Sequence, residues 1–592
     1  MKIGYLNGRR LYYAFLAGGN AVIQDQEYLN KINVYPVPDA DTGTNLAATM
    51  RSIAEAAVVS RSLKATFRSI ADAALAGARG NSGLIFAQFL HSLSDEVPHG
   101  TRLTTRSFAE SARRAVQSLY KAILTPTEGT MLTVMREWAD SLHEHAPRTA
   151  DFVDLLARSL QVARQSLMNT PKRLSVLAKA GVVDAGAKGF VDFIEGVHHF
   201  TRAGKLRKIP QPSPVPVQLE EKIHSFKKPI THRYCTEALL RGERLDLDRI
   251  RNIIQSSGDS AIVAGSAEKA RFHVHTDSPA GLFARLDEAG EIIQVKVDDM
   301  RRQFEASHNR RWPVALVTDS SCDLPPEFLD EHQIHLIPFN LSFGSRLFLD
   351  RLTIPPDTFY SLLRTSRVHP QTAQAPLATV QGILTFLSNH YESVILIHLS
   401  EKLSGAYAFG RQAAESIKGK KISVINSRNI SLSLGLIVRR AAEALAGGST
   451  HDEIVAQAET WIAKTRVWVD VGTMKYLVRG GRVSPMRGLL ARLLHVKPLI
   501  ILDEEGKSAA AAKSFTRDGN MKKIIRHVED MAARGKVWNT AVVHAQNPSR
   551  ARAYAEMLEA RLGRPPAFVM DVSPVIGVHA GAAAVGVALM LE

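Results

Sequence analysis

NVYPVPDADTGTNLAATM, residues 33–50, sets two aspartates, Asp39 and Asp41, one residue apart in a bend that runs straight into a helical pattern. Carboxylates crowded beside a helix start call for a third component. The unpaired N–H groups and the dipole of a helix N-terminus attract anions of their own. A metal-bound phosphate would satisfy both, because Mg²⁺ takes oxygen ligands and is commonly held by one or two carboxylates together with substrate phosphates. The same D-x-D-x-G order opens a calcium loop, but the twelfth position here is Met50, where that loop needs a bidentate glutamate. Calcium is set aside.

Three further stretches of small residues stand directly before helical patterns: GARGNSG (77–83), EGT (128–130) and VVDAGAKG (182–189). Glycine lets backbone approach a ligand closely. If folding brings these starts to one end of a helical domain, they form a phosphate site without a Walker lysine, and no G-x-x-x-x-G-K-[ST] occurs in the chain. Taken singly, each loop is ordinary helix punctuation. Their recurrence in one domain, with Asp39 and Asp41 in one of them, argues for Mg²⁺ and a nucleotide.

Around these loops, residues 1–200 read as helix after helix, with apolar residues recurring at three and four, as in FVDLLARSLQVARQSL. Residues 201–232 are rich in proline and lysine and read as a linker. Residues 233–306 read as a small α/β module, and residues 312–592 alternate short apolar runs such as VALVTDS and SVILIHLS with helical segments. That alternation predicts parallel sheets covered by helices, in two lobes.

The composition fits an ordinary soluble globular chain of 592 residues, 45% hydrophobic and 22% charged. Two cysteines, Cys235 and Cys322, exclude a disulfide framework and point to a reducing compartment. The N-terminus lacks the apolar core of a signal peptide, and the apolar stretch from Ala580 to Leu591 is too short to span a bilayer. A cytoplasmic protein is expected. The net charge of +16 admits nucleic acid, a membrane surface or anionic metabolites as partners. The basic residues are scattered, without an arginine-rich arm or zinc-finger spacing, which argues against nucleic acid and for an anionic substrate or transient contact with a membrane surface.

In the middle module, FHVH places His273 and His275 on one face of a strand, and Cys235 is the third metal-capable side chain. A thiolate with two imidazoles suits Zn²⁺; a buried cysteine with two packed histidines is the other reading.

The wording NVYPVPDADTGTN, GARGNSG, EGTMLTV and VVDAGAKG resembles the nucleotide-binding domain of the fatty acid kinase catalytic subunit, itself similar to that of dihydroxyacetone kinase. The resemblance implies an all-α helical barrel holding ATP through two Mg²⁺ ions. Asp39 and Asp41 would be the metal ligands. Asn33, Thr42, Gly43, Thr44, Asn45, Gly80, Asn81, Ser82, Gly83, Gly129, Thr130, Asp184 and Gly186 would surround the nucleotide. Ala40 stands where that family usually has glycine. YCTEALL and HVHTDSP resemble the middle domain of the same kinase, which implies zinc on Cys235, His273 and His275.

VALVTDSSCDLPPEF, HPQTAQAP, LSEKLSGAYAFGRQAA, YLVRGGRVSP and VIGVHAGAAAVG are similar to the DegV family, two-lobed α/β carriers that enclose one fatty acid. By that resemblance Thr372, Ser404 with Gly405, and His579 would bind the lipid carboxylate, while Arg479 and Arg482, with Arg517, would form a basic surface facing the kinase domain. Ala373, Asn426, Ala582 and Ala583 depart from the family pattern and touch on tunnel shape rather than the head-group trio.

Together the halves imply phosphorylation of a long-chain fatty acid carboxylate to an acyl phosphate, in a homodimer that feeds an enzyme consuming that product. Two alternatives stand: a carrier or sensor of fatty acids without catalysis, and a dihydroxyacetone-type small-molecule kinase, for which no separate substrate domain is evident.

Overall fold

The computed structural model describes residues 2–35, 41–123, 126–203, 230–481 and 497–592. It divides into two compact units, Met1–Met300 and Arg301–Glu592.

The helical part of the first unit runs α1 (Gly8–Gln24), α2 (Gln26–Lys31), α3 (Thr42–Ala56), α4 (Leu63–Gly77), α5 (Gly80–Glu96), α6 (Thr105–Ala122), α7 (Met131–His145), α8 (Phe152–Met168), α9 (Thr170–Arg173), α10 (Ser175–Ala180) and α11 (Ala185–Ala203). Helices α3 to α8 pack each on the next, α8 packs on α11, α11 on α1 and α1 on α3, so the ring closes. Its interior is aromatic. Trp138 of α7, 2% exposed, meets Phe89, Phe108 and Phe190 edge-on, the arrangement that ring quadrupoles favour. Close approach of α1 and α11 depends on Gly196, where a Cβ would lie 2.5 Å from the Ala17 carbonyl oxygen.

Helix starts fall into two classes. Asn7, Ser62, Thr104 and Asp151 accept backbone N–H bonds at the starts of α1, α4, α6 and α8. The residues preceding α3, α5 and α7, namely Asp41, Arg79 and Thr130, make no such side-chain bond. These three starts follow glycine-bearing loops; the short helices α2, α9 and α10 also begin without a side-chain cap, and at α11 Asp184 accepts the Ala187 N–H.

The middle module is a sheet in the order β2-β3-β1-β4, with β1 (Tyr234–Arg241), β2 (Asp259–Gly265), β3 (Lys269–Thr276) and β4 (Glu291–Asp299). The pairings of β1 with β3 and β4, and of β2 with β3, are antiparallel. Alternation along β3 gives its two faces different work. Phe272 packs on Phe283 of the helix Pro279–Leu286, while Arg271 on the opposite face donates to the carbonyl of Ala76 at the end of α4. The module is therefore joined to the helical ring through the face that carries His273 and His275.

In the second unit one lobe holds a parallel sheet ordered β11-β10-β5-β6, with β5 (Val314–Asp319), β6 (His335–Ile337), β10 (Ser393–His398) and β11 (Lys421–Asn426). The other holds β14-β13-β12-β17-β15-β16, built from β12 (Thr465–Asp470), β13 (Lys497–Leu502), β14 (Ser508–Ser514), β15 (Val537–His544), β16 (Val569–Asp571) and β17 (Val585–Leu591). A short antiparallel sheet, β8-β7-β9, adds β7 (Asn340–Phe343), β8 (Arg346–Leu349) and β9 (Gln371–Ala373).

The expectation of parallel sheets throughout this half is corrected in the second lobe. There only β15 and β16 pair in parallel, and the other pairings are antiparallel. Apolar strands alternating with helices report burial on both faces, not strand direction. The hairpin from β13 to β14 turns at Gly506, whose φ is +82°, and β17 enters antiparallel between β12 and β15. The apolar stretch near the chain end is that buried strand. Among the described residues no helix is long and apolar enough to cross a membrane.

Candidate active site

The glycine-bearing loops meet at one end of the helical ring. A Cβ on Gly80 would lie 2.3 Å from Asn45 Nδ2, and one on Gly83 2.9 Å from Thr49 Oγ1, so the starts of α3 and α5 are in contact. A Cβ on Gly186 would lie 3.0 Å from Met131 Cε and 3.1 Å from Ser82 Oγ, which brings in α7 and α11. Gly80 and Gly129 have φ of +57° and +86°, a region where a side chain costs about 1 kcal/mol or more.

The individual residues follow from this packing. Thr44 is bound to α2, its N–H donating to Asn30 Oδ1 at 3.0 Å and its hydroxyl accepting from Asn30 Nδ2 at 3.0 Å. Gly43 sits against α2 so tightly that a Cβ would fall 2.0 Å from the Gln26 carbonyl oxygen. Thr42, Asn45 and Asn33 are buried, and the Asn33 N–H donates to the Asn30 carbonyl. Asn81 Oδ1 is buried without a hydrogen bond. Thr130 Oγ1 donates to the Thr127 carbonyl, and the Gly129 N–H to Thr133 Oγ1.

Asp184 accepts the Ala187 N–H at 2.8 Å. Burial pushes its carboxyl up to about 6, against the pull of the Ala187 and Met131 amides. Asp41 precedes α3 without capping it, so its carboxylate could hold a hard cation such as Mg²⁺. Asp39 lies outside the described residues.

The face of the middle sheet beside these loops is polar. Register sets Cys235 opposite His275 and Glu237 opposite His273 on one side, and Lys296 opposite Glu237 on the other. The ligand atoms of Cys235, His273 and His275 lie within 4.8 Å of one another. His275 Nδ1 is 3.3 Å from Asp259 Oδ1, and His273 Nδ1 is 3.3 Å from Glu237 Oε1. The Nε2 atoms of His273 and His275 are 3.2 Å apart, and Cys235 Sγ is 3.7 Å from His273 Nδ1. Two imidazoles and a cysteine sulfur this close form a donor set that fits a thiophilic divalent metal such as Zn²⁺.

Charge in this cluster is set by burial and by neighbours. Burial holds His275 down to about 4, with His273 adding to the effect. Burial, with Glu237 and Asp298 beside it, pushes the Cys235 thiol well up. For Glu237 burial works against the charge, yet the His273 hydrogen bond and the Lys296 and Arg271 cations hold its carboxyl well below the usual range. Burial likewise disfavours the Lys296 ammonium, but Asp298 at 2.6 Å, Glu237 and Asp41 more than offset it.

In the second unit a cavity of about 170 Å³ lies between the lobes, far above the ~10–15 Å³ that one water requires. Val467, Val469, Leu477, Ile500, Val543 and Ile576 give it apolar walls. Thr372, Gln374, Ser404, Gly405 and His579 supply polar lining. Thr372 Oγ1 and His579 Nε2 are 3.1 Å apart. Ser404 Oγ accepts the Ala406 N–H at 3.3 Å, and Gly405 precedes the helix Ala406–Ser416 without a side-chain cap, so a helix N-terminus faces the same space. Hydroxyls, an imidazole and a helix start are complementary to a carboxylate.

Gln374 and His544 are lining residues that sequence reasoning passed over. Gln374 stands inside the TAQAP stretch, over Gly405. His544 ends β15, 2.9 Å from Asp571 Oδ1.

Of the three arginines expected on a basic surface, Arg479 and Arg517 fall among the described residues. Arg479 is exposed at the end of the helix Lys475–Arg479, and Arg482 lies outside the described residues. Arg517 is not a free cation: it donates to Asp470 Oδ2 at 3.1 Å and to the Ala583 carbonyl at 2.5 Å. Ala583, one departure from the family pattern, accepts that bond through its backbone. Ala583 has φ +67°, and its carbonyl is held by Arg517 and by Asn547 Nδ2 at 3.2 Å. At another, Asn426 Oδ1 accepts the Glu401 and Arg428 N–H groups, the task an aspartate would perform.

The helix Pro574–Ala580, which carries His579, is held at its start by buried carboxylates of the other lobe. The Ser573 N–H donates to Asp323 Oδ1 at 3.0 Å and the Val575 N–H to Asp350 Oδ1 at 2.9 Å. Burial pushes Asp350 up to about 7. Below pH ~4 the unfolded and folded states both carry this proton; between ~4 and ~7 only the folded state does, so stability falls as pH rises. Asp350→Asn keeps the acceptor for Val575 and removes the charge. Its stability relative to the parent chain should be greater at pH 8 than at pH 5 by about 2–3 kcal/mol, read by chemical denaturation of the intact chain; an equal difference at both pH values would refute the assignment.

Three family models match in order. The DAK2 domain covers residues 36–199, the fatty acid kinase-like middle domain 231–307, and the model described as "Uncharacterised protein, DegV family" 313–592. The chain joins a DAK2 domain to a DegV domain through a fatty acid kinase-like middle domain. It is 33% identical over 349 residues to an uncharacterized protein of Staphylococcus epidermidis, covering 54% of this chain and 62% of that one. It is 35% identical over 314 residues to an uncharacterized protein of Staphylococcus saprophyticus, covering 51% and 56%. The match thus spans less than two thirds of either relative.

Among solved structures, the DegV fatty acid binding protein of Bacillus subtilis aligns at 27% identity and TM-score 0.44, over 48% of this chain and 100% of that one. A fatty acid binding DegV family protein of Thermus thermophilus aligns at 24% and 0.44, over 47% and 99%.

Proposed function

We propose that this chain transfers the γ-phosphoryl group of ATP to the carboxylate of a long-chain fatty acid bound in its DegV domain. The reading rests on one observation above the rest: a single chain carries both a convergence of glycine-bearing helix starts around Asp41 and a largely apolar cavity with Thr372 and His579 paired in its lining.

The reaction balances without a proton. A carboxylate oxygen forms a bond to the γ-phosphorus as the bond to the bridging β-γ oxygen breaks, and acyl phosphate and ADP leave. The acceptor is ionised at neutral pH, so the residues have no base to supply. They must hold two anions together and disperse charge in a loose transition state. The backbone N–H groups at the starts of α3, α5 and α7 would bind phosphate oxygens, while Asp41, and Asp39 outside the described residues, would hold Mg²⁺. Bound there, Mg²⁺ would offset the phosphate charge.

On the lipid side, burying a chain of about fifteen methylenes at ~0.8 kcal/mol each favours the cavity over water by on the order of 10 kcal/mol before ordering costs. A membrane offers a similar gain. Selectivity for an acid must therefore come from Thr372, Ser404, His579 and the start of the helix Ala406–Ser416.

Lipid extracted from the purified chain and identified by mass spectrometry should be a long-chain fatty acid, and Ser404→Ala should carry severalfold less of it. ADP release from ATP should depend on added fatty acid. Release that ignores the lipid, or a chain that copurifies with none, would defeat the proposal.

A further inference from the structure

Glu237 is 1% exposed and belongs to neither the nucleotide loops nor the metal-capable trio. One of its oxygens does two things at once. Oε1 accepts the Gly80 N–H at 2.7 Å, at the start of α5, and lies 3.3 Å from His273 Nδ1. Arg79, which precedes α5, offers no acceptor of its own, so a carboxylate from a distant strand occupies the place where an anion would bind this helix start. The other oxygen, Oε2, makes no hydrogen bond and has the Arg271 guanidinium 3.9 Å away.

We propose that Glu237 is a positioning residue that couples the two sites it touches. A divalent metal on Cys235, His273 and His275 tightens nucleotide binding at the GARGNSG loop, and nucleotide tightens the metal by the same factor. The inference rests on the nucleotide reading above.

Two shifts of one side chain carry it. A cation bound at His273 Nε2 makes its Nδ1–H a stronger donor and draws Glu237 toward the imidazole. A phosphate arriving at α5 competes with Oε1 for the Gly80 N–H and displaces Glu237 in the same direction. Oε2, with Arg271 near it, provides the group with somewhere to turn. Ligands that favour the same state of one element are positively and reciprocally coupled.

The test is calorimetric titration of the intact chain with MgADP, after metal removal by chelator and after reloading with Zn²⁺, on samples of matching far-UV circular dichroism. Zinc should tighten MgADP by about 5–20-fold. In Glu237→Gln, which retains an acceptor for Gly80, that ratio should fall below about twofold, and zinc affinity, read by competition with a chromophoric chelator, should drop by about tenfold or more.

A wild-type ratio near one overturns the coupling and leaves the nucleotide reading intact, as does a Gln variant with the full wild-type ratio. Absence of MgADP binding in both metal states sinks both. The wild-type comparison needs no variant, so the proposal stays exposed even if Glu237→Gln fails to fold.

Discussion

Asp41→Ala should lower fatty-acid-dependent ATP turnover by a factor on the order of 10²–10³ while leaving the fatty acid content of the purified chain unchanged. Asp41 precedes α3 without capping it, so alanine removes no hydrogen bond that holds the helix, and the fold should tolerate the change. What is lost is a carboxylate oxygen at the meeting point of the loops, together with the cation it would hold. The cavity lies in the other unit and depends on none of these residues. Parallel measurement of ADP formation and extracted lipid separates the two. Turnover within about threefold of the parent chain would remove Asp41 from the mechanism, and loss of both activities would mean that the substitution acts through the fold.

Asp470→Ala should destabilise the second unit by about 3–5 kcal/mol. Asp470 is fully buried and accepts from four neighbours: Arg550 Nε at 2.8 Å, Arg517 Nη2 at 3.1 Å, Asn520 Nδ2 at 3.2 Å and Tyr554 at 3.4 Å. Removing one carboxylate strands two largely buried guanidinium groups, which costs far more than the pair contributes over an apolar substitute. The effect should reach the lipid site, because Arg517 also fixes the Ala583 carbonyl in the segment that follows His579. A shifted denaturation transition in the intact chain, accompanied by reduced lipid content, is the expected result. A shift under about 1 kcal/mol would show that the arginines find other partners.

How far the sequence can be read depends on the range of the interactions involved. Periodicity within α8 or α11 is local, and those helices form where the pattern places them. The four loops can be recognised singly, but their meeting is a consequence of ring closure between α1 and α11, which no short window contains. Glu237 carries no signal at all: its partner Gly80 is 157 positions away, and a glutamate in a strand reads as solvent-facing. Arg517 reads as a free cation for a similar reason, since the buried Asp470 that neutralises it is 47 positions distant. Strand direction in the second lobe is hidden because burial on both faces gives the same apolar run whichever way the strand runs.

Two of the helix starts in the DAK2 domain come already furnished with acids: Glu237 at α5, and Asp184 at α11. Free sulfate or orthophosphate would meet charge of the same sign there, with Lys296 and Arg271 already committed to Glu237. A polyphosphate escorted by its own cations would bring its own counter-charge. The nucleotide reading thus predicts discrimination against small inorganic anions at these two helix starts, ahead of any contact with base or ribose.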